Sequence, residues 1–114
     1  MAITKESEFN KRQARLAELA KALAHPARIA ILEILSQEDT CMCGDIAEML
    51  PLAQSTVSQH LKVLKEAGFI QGTITGQSIC YDLNPDTFKE YDALYHIFTE
   101  KISGGPKIEL QQEN

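Results

Sequence analysis

The sequence predicts one mostly α-helical domain that carries a single β-hairpin. Apolar residues recur at helical spacing up to residue 67, alternate with polar residues from 69 to 83, and then return to helical spacing. The 114 residues suffice for one hydrophobic core, and 44% hydrophobic residues is ordinary for a globular domain. We expect about five helices and a two-stranded hairpin in residues 1–103, followed by a flexible tail at 104–114.

The first two helices meet at a proline. The first is predicted from Glu6 to Ala24, because apolar residues recur there on one face. Pro26 suits the first position of a new helix, so the second is predicted from Pro26 to Ser36. Its apolar residues cover most of its faces, which predicts that it is the buried centre of the domain.

A short third helix and a longer fourth helix follow. The third is predicted from Asp45 to Leu50, because Pro51 ends it. The fourth is predicted from Gln54 to Ala67, with an apolar stripe centred on Val57 and a glycine stop. This order is typical of a helix-turn-helix unit, whose second helix lies in the major groove of DNA.

The remaining elements predict a wing and a closing helix. The segments Phe69–Ile74 and Ser78–Leu83 are rich in β-branched residues, which predicts two strands of a hairpin. The residues Asn84-Pro85-Asp86 combine a cap, a first-turn proline and an acid, which predicts a last helix that runs to about Ser103. The predicted fold is therefore a winged helix-turn-helix.

The fourth helix presents a polar face that suits DNA. Serine, threonine and glutamine side chains both donate and accept hydrogen bonds, and lysine can meet a phosphate. We expect DNA binding to need no cofactor. The candidate DNA-binding residues are Gln54, Ser55, Thr56, Ser58, Gln59, His60 and Lys62 on this helix, with Thr75, Gly76 and Gln77 in the hairpin loop.

The net charge of −5 argues against DNA binding, because phosphate contacts supply much of a DNA-binding protein's affinity. The acids lie largely elsewhere, however. From Gln54 to Tyr81 the chain carries Lys62 and Lys65 against Glu66 alone. The charge distribution therefore weakens the objection without removing it.

Three segments carry a family resemblance: LAHPARIAILEIL, QSTVSQHLKVLKEAGFI and CYDLNP. With the order of elements, they resemble the ArsR/SmtB family of bacterial metal-responsive repressors over about residues 15–98. The resemblance implies a homodimer that pairs through its first and last helices, binds a palindromic operator on double-stranded DNA, and leaves it when a metal or metalloid binds. The last helix supports this independently with one apolar stripe, made of Phe88, Tyr91, Leu94, Tyr95, Phe98 and Ile102.

The cysteines are the candidate inducer site. Cys41 and Cys43 match a Cys-x-Cys that supplies ligands in family members that sense arsenic or cadmium, and thiolates favour soft ions. The resemblance therefore implies As(III) or a soft divalent metal as inducer. Arsenic sensors carry a further cysteine where this chain has Ile46. Cys80, on the second wing strand, is a third candidate ligand, although the sequence does not show that it reaches Cys43.

The sequence is also compatible with other functions. The same thiols could sense oxidation or persulfides, because exposed thiolates are reactive. The cysteines could be incidental to a regulator without an inducer, and the acidic charge favours a winged-helix protein-interaction module. No phosphate loop or nucleophile with a nearby base is present, so we expect no enzyme. No run of 18 apolar residues occurs, and we expect a cytoplasmic protein.

Overall fold

The computed structural model describes residues 9–104 and confirms the predicted fold of five helices and one antiparallel hairpin. The predicted tail lies outside this range beyond Gly104, and so do residues 1–8. The elements, in chain order, are α1 (Lys11–Ala22), α2 (Pro26–Gln37), α3 (Cys43–Glu48), α4 (Gln54–Ala67), β1 (Ile70–Thr75), β2 (Ser78–Leu83) and α5 (Pro85–Ser103).

Helix α1 starts later than the sequence predicted. The Asn10 side chain accepts a hydrogen bond from the Gln13 backbone N–H at 2.7 Å, and the Gln13 side chain accepts one from the Asn10 N–H at 3.2 Å. This reciprocal capping box satisfies two N–H groups that the helix itself leaves without partners. Residues 9 and 10 are therefore outside the helix, and the predicted start at Glu6 lies outside the described residues.

Helix α2 is not buried on all sides, so the prediction that it forms the centre of the domain was wrong. Ala27, Ile31 and Leu32 face the core, whereas Ile29 remains 40% exposed. The core lies instead where α1, α2, α3, α4 and the start of β1 converge. Its fully buried large side chains are Leu19, Ile31, Ile46, Val57, Leu61, Leu64, Phe69 and Ile70.

The hairpin places its loop far from this core. Ile70 pairs with Leu83 and Thr75 with Ser78, which leaves a two-residue loop at Gly76 and Gln77. Gly76 has φ +66°, and no non-glycine residue among those described has a positive φ. A positive φ at the first loop position alone is the pattern of a type II′ turn, which matches the twist of the two strands. The loop therefore lies in solvent at the end of the two-stranded ladder.

Helix α5 packs against the core with only half of its apolar stripe. Phe69 contacts Phe88, with ring centroids 4.9 Å apart, and Tyr91, with centroids 6.1 Å apart. Further along the helix, Phe98 is 40% exposed and Ile102 is 51% exposed. The stripe that the sequence presents as one surface is therefore divided between the core and solvent.

Candidate functional site: the exposed face of α4, the wing and the cysteines

Helix α4 begins and ends at the predicted residues. Val57, Leu61, Leu64 and Ala67 are buried along one face, and they orient the helix. Gly68 ends it with φ +95°, and its N–H donates to the carbonyls of Leu64 and Lys65. The position suits glycine, because this left-handed conformation strains other residues.

The opposite face of α4 is open to solvent. Because the buried stripe fixes the rotation of the helix about its axis, the polar side chains have no room to turn inward. Six of the seven predicted DNA-binding residues of this helix are exposed: Gln54, Ser55, Thr56, Ser58, Gln59 and Lys62. These six side chains therefore offer a ligand hydrogen-bonding groups and one positive charge.

His60, the seventh, lies in a different environment. Its ring packs on His25, with centroids 4.4 Å apart, and its Nδ1 lies 3.1 Å from Arg28 Nη1. A guanidinium only donates, so Nδ1 accepts, which requires an unprotonated Nδ1. Burial lowers the pKa of His60, and the charges of His25 and Arg28 lower it further. The structure thus places His60, a candidate DNA-binding residue on the flank of α4, against the α1–α2 junction.

Arg28 is a residue that the sequence analysis missed. Its Nε donates to the Ala22 carbonyl at 2.7 Å and its Nη2 to the Lys21 carbonyl at 3.3 Å, so it caps the C-terminal end of α1. Because Arg28 also contacts His60, this one side chain links α1, α2 and α4. An arginine near the start of a largely apolar helix was the available signal, but its partners are six, seven and 32 residues away.

The wing loop is exposed as expected. Gly76 and Gln77 of the loop lie in solvent, and so does Thr75, which the structure places at the end of β1 because it pairs with Ser78. Ile74 beside it is 76% exposed. Neither strand of the hairpin contains lysine or arginine. Contacts from the wing to another molecule therefore depend on hydrogen bonds and apolar packing.

The structure pairs Cys41 with Cys80 in a disulfide, with Cα atoms 4.8 Å apart, and leaves Cys43 as a free thiol. The two sulfurs that meet are thus not those of the Cys-x-Cys motif. Cys41 precedes α3 in an extended segment, and its carbonyl accepts a 2.9 Å hydrogen bond from the Tyr81 N–H of β2. This backbone bond places Cys41 beside the strand that carries Cys80.

Cys43 contacts the start of α4. Its Sγ donates to the Gln54 carbonyl at 3.8 Å, and burial raises the pKa of its thiol. A protonated thiol can make this weak bond, whereas a thiolate cannot donate one. The protonation state of Cys43 is therefore linked to the first turn of α4.

A cleft of about 280 Å³ lies between the start of α3, the start of α4 and the wing. The residues before and at the start of α3 form one wall, Gln54 of α4 forms another, and the wing forms the third. Its lining includes Met42, Cys43, Gly44, Gln54, Gln77, Ser78, Ile79 and Tyr81. The start of α4, the wing and Cys43 thus line one cleft, and Cys41 and Cys80 are each next in sequence to a lining residue.

Over residues 9–104, no group of three or more His, Cys, Asp or Glu side chains is arranged to hold a metal ion. Within the same range, no helix is both long and apolar enough to span a membrane.

The chain matches a known family profile and several known proteins. Residues 25–71 match the family described as "Bacterial regulatory protein, arsR family". The chain is 38% identical over 91 residues to the biofilm growth-associated repressor of Agrobacterium fabrum, a match that covers 79% of this chain and 77% of that repressor. It is also 42% identical over 66 residues to the HTH-type transcriptional repressor SmtB of Mycobacterium tuberculosis, a match that covers 58% of this chain and 48% of that repressor.

A solved structure extends the likeness to the fold. The crystal structure of Mycobacterium tuberculosis Rv0081 aligns with a TM-score of 0.61 and 31% identity, over 84% of this chain and 97% of that one. These three relatives are transcriptional repressors or regulators, in agreement with the expectation that the chain is not an enzyme. The motif resemblance, the matched segment and the shared fold agree, and the chain belongs to the ArsR family of bacterial regulatory proteins.

Proposed function

We propose that this chain is a transcriptional repressor that binds double-stranded DNA with the exposed face of α4 and the wing loop. The observation that carries the proposal is the geometry of α4, whose buried stripe leaves six hydrogen-bonding or charged side chains in solvent. Glutamine reads adenine through a bidentate pair in the major groove, and serine and threonine contact bases or phosphates. Gln59 lies on this face and is a candidate for base recognition.

The electrostatics of this surface are modest. Lys62 and Lys65 are exposed on α4, while the wing has no basic residue. The N-cap Ala53 makes no side-chain hydrogen bond to the helix, and the first turn contains no acid. The positive end of the helix dipole is thus available to a phosphate oxygen. We expect affinity to fall with added salt, but less steeply than for a protein with a basic wing.

We further propose that two copies pair and bind a palindromic operator in the cytoplasm. Support comes from the outer half of the α5 stripe, where Tyr95, Phe98 and Ile102 are 40–51% exposed. A second apolar hollow lies along α1, lined in part by Phe9, Ala14 and Ala17. Large exposed apolar surfaces on adjoining terminal helices favour a self-complementary interface.

We propose a thiophilic inducer, As(III) or a soft divalent metal of the cadmium or lead type, held by Cys41 and Cys43, with Cys80 as a further candidate ligand. Support comes from the chemistry of the donors, because thiolates favour soft ions and, once reduced, Cys41 and Cys80 would present two thiols side by side, with Cys43 two residues from Cys41 along the chain. The bound ion would supply soft coordination to deprotonated sulfur. Cys43 would then lose its hydrogen bond to the Gln54 carbonyl, which loosens the first turn of α4.

Direct DNA binding is the decisive experiment. A duplex is selected from a random-sequence pool with the purified protein, and its affinity is measured by mobility shift at several salt concentrations. Gln59→Ala should weaken binding by about tenfold or more, because one bidentate base contact contributes about 1–3 kcal/mol. Gln37→Ala, at the exposed end of α2, is the matched control and should bind as the wild type does. Failure to select any duplex would favour the protein-interaction module instead.

The inducer is tested on the reduced protein. Arsenite or cadmium should dissociate the selected duplex, and thiolate absorbance should rise with the same dependence on concentration. Replacing Cys41 and Cys43 with serine should abolish release while DNA binding is retained. Release that persists in the double variant would rule out these two residues as the inducer site.

A further inference from the structure

The Cys41–Cys80 disulfide joins two elements that are 39 residues apart in sequence. Cys41 belongs to the segment that leads into α3, the first helix of the helix-turn-helix. Cys80 lies within β2, opposite Thr73 on the partner strand. The backbone hydrogen bond from the Tyr81 N–H to the Cys41 carbonyl is a second link between β2 and the segment before α3. The disulfide therefore restrains the middle of the wing.

The position of this restraint matters for DNA recognition. Cys41 precedes Met42, which lines the cleft beside Gln54, and Cys80 follows Ile79 in the opposite wall. Gln54 begins α4, and the wing loop lies three residues before Cys80. The disulfide thus links the wall before α3 to the wing wall, and the third wall of the same cleft is Gln54 at the start of α4.

We propose that Cys41 and Cys80 form a redox site whose disulfide fixes the wing against the helix-turn-helix in the arrangement that binds DNA. The inference rests on the proposed DNA-binding function and names a regulation of that surface. In a compartment where DNA is transcribed, thiols are kept reduced, and a disulfide there is more often a sensor than a permanent structural link. The half-buried setting of both cysteines leaves them within reach of a small oxidant.

The oxidant is a peroxide. One thiolate of the pair attacks a peroxide oxygen and becomes a sulfenic acid, and the O–O bond breaks with release of water. The second thiol then attacks the sulfenic sulfur, the S–S bond forms, and a second water leaves. Two thiols are oxidised and one hydrogen peroxide is reduced to two waters. Cys43 lies outside the pair, because its Sγ contacts the Gln54 carbonyl at 3.8 Å, whereas the sulfurs of Cys41 and Cys80 meet.

The affinity for the operator should depend on whether Cys41 and Cys80 are a disulfide or two thiols. In the disulfide form the polar face of α4 is open and the wing is already restrained, so less conformational freedom is lost when both contact a duplex. In the dithiol form the wing retains more freedom, and binding must order it. We expect the oxidised protein to bind about five- to tenfold more tightly than the reduced protein.

The experiment compares hydrogen peroxide-treated and dithiothreitol-treated protein in three measurements. Peptide mapping without reduction should recover a Cys41–Cys80 linkage after peroxide. Hydrogen exchange should show slower exchange in residues 78–83 of the oxidised form. Affinity for a duplex selected from a random pool should be higher after oxidation. Cys80→Ser should lose all three responses, while Cys43→Ser should keep the ratio of oxidised to reduced affinity.

Three results would overturn the proposal: a peroxide product that links Cys43 instead, equal exchange of the wing in both forms, or oxidised protein that binds DNA no more tightly than reduced protein. If no duplex is selected, DNA binding itself fails. The peptide map and the exchange rates still test the redox pair in that case, and an absent linkage or unchanged exchange rejects it. The two failures are therefore distinguishable.

Discussion

Reduction of the Cys41–Cys80 disulfide should strongly destabilise the domain. The bond closes a loop across a sequence separation of 39 residues, and the chain-entropy relation for such a loop gives about 4 kcal/mol at 25 °C. The free energy of unfolding of a native protein is about 5–15 kcal/mol, so the disulfide contributes a large share of it. For a domain of this size, the midpoint of thermal unfolding should fall by roughly 15–30 °C.

The assay is urea denaturation followed by circular dichroism, with and without a phosphine reductant. Protein concentration is held constant, because the stability of a dimer depends on it. Cys80→Ser without reductant should match the reduced wild type, and Cys43→Ser should show the full difference between its oxidised and reduced forms. Oxidised and reduced wild type that unfold at the same urea concentration would refute the reasoning, as would a difference that disappears in Cys43→Ser.

Three further predictions concern the core, an ion pair and a histidine. Phe69→Ala should lower the free energy of unfolding by about 3–5 kcal/mol, because it empties a fully buried site beside Phe88, and a loss under 1 kcal/mol in urea denaturation would contradict the packing. Glu90→Gln breaks the paired hydrogen bonds from Arg15, at 2.8 and 2.9 Å, and should cost about 0.5–1 kcal/mol at low salt; an undiminished effect at high salt would argue against an ionic cause. The pKa of His60 is lowered in the fold, so below about pH 6.5 the unfolded chain takes up the proton more readily and stability falls. Unfolding measured from pH 7 to pH 5 should show a smaller loss in His60→Gln than in the wild type, and parallel losses would exclude this group.

The sequence alone determined the order of elements and the exposed face of α4. Both depend on local rules: the spacing of Val57, Leu61 and Leu64 sets the buried side, and Gly68 sets the end of the helix. The hairpin also followed from local rules, because the alternation of apolar and polar residues and the glycine in the loop specify it. The start of α1 was predicted too early, because apolar periodicity does not mark where a helix begins, whereas the Asn10 cap does.

Only the tertiary structure decided which side chains meet across the chain. It paired Cys41 with Cys80 rather than leaving the Cys-x-Cys as a unit, and it placed His60, on the flank of α4, against Arg28. It also divided the α5 stripe between core contacts at Phe88 and solvent at Ile102. Periodicity specifies the direction of a side chain relative to its own helix or strand, but the neighbour in that direction depends on how separate elements pack, which no local pattern encodes.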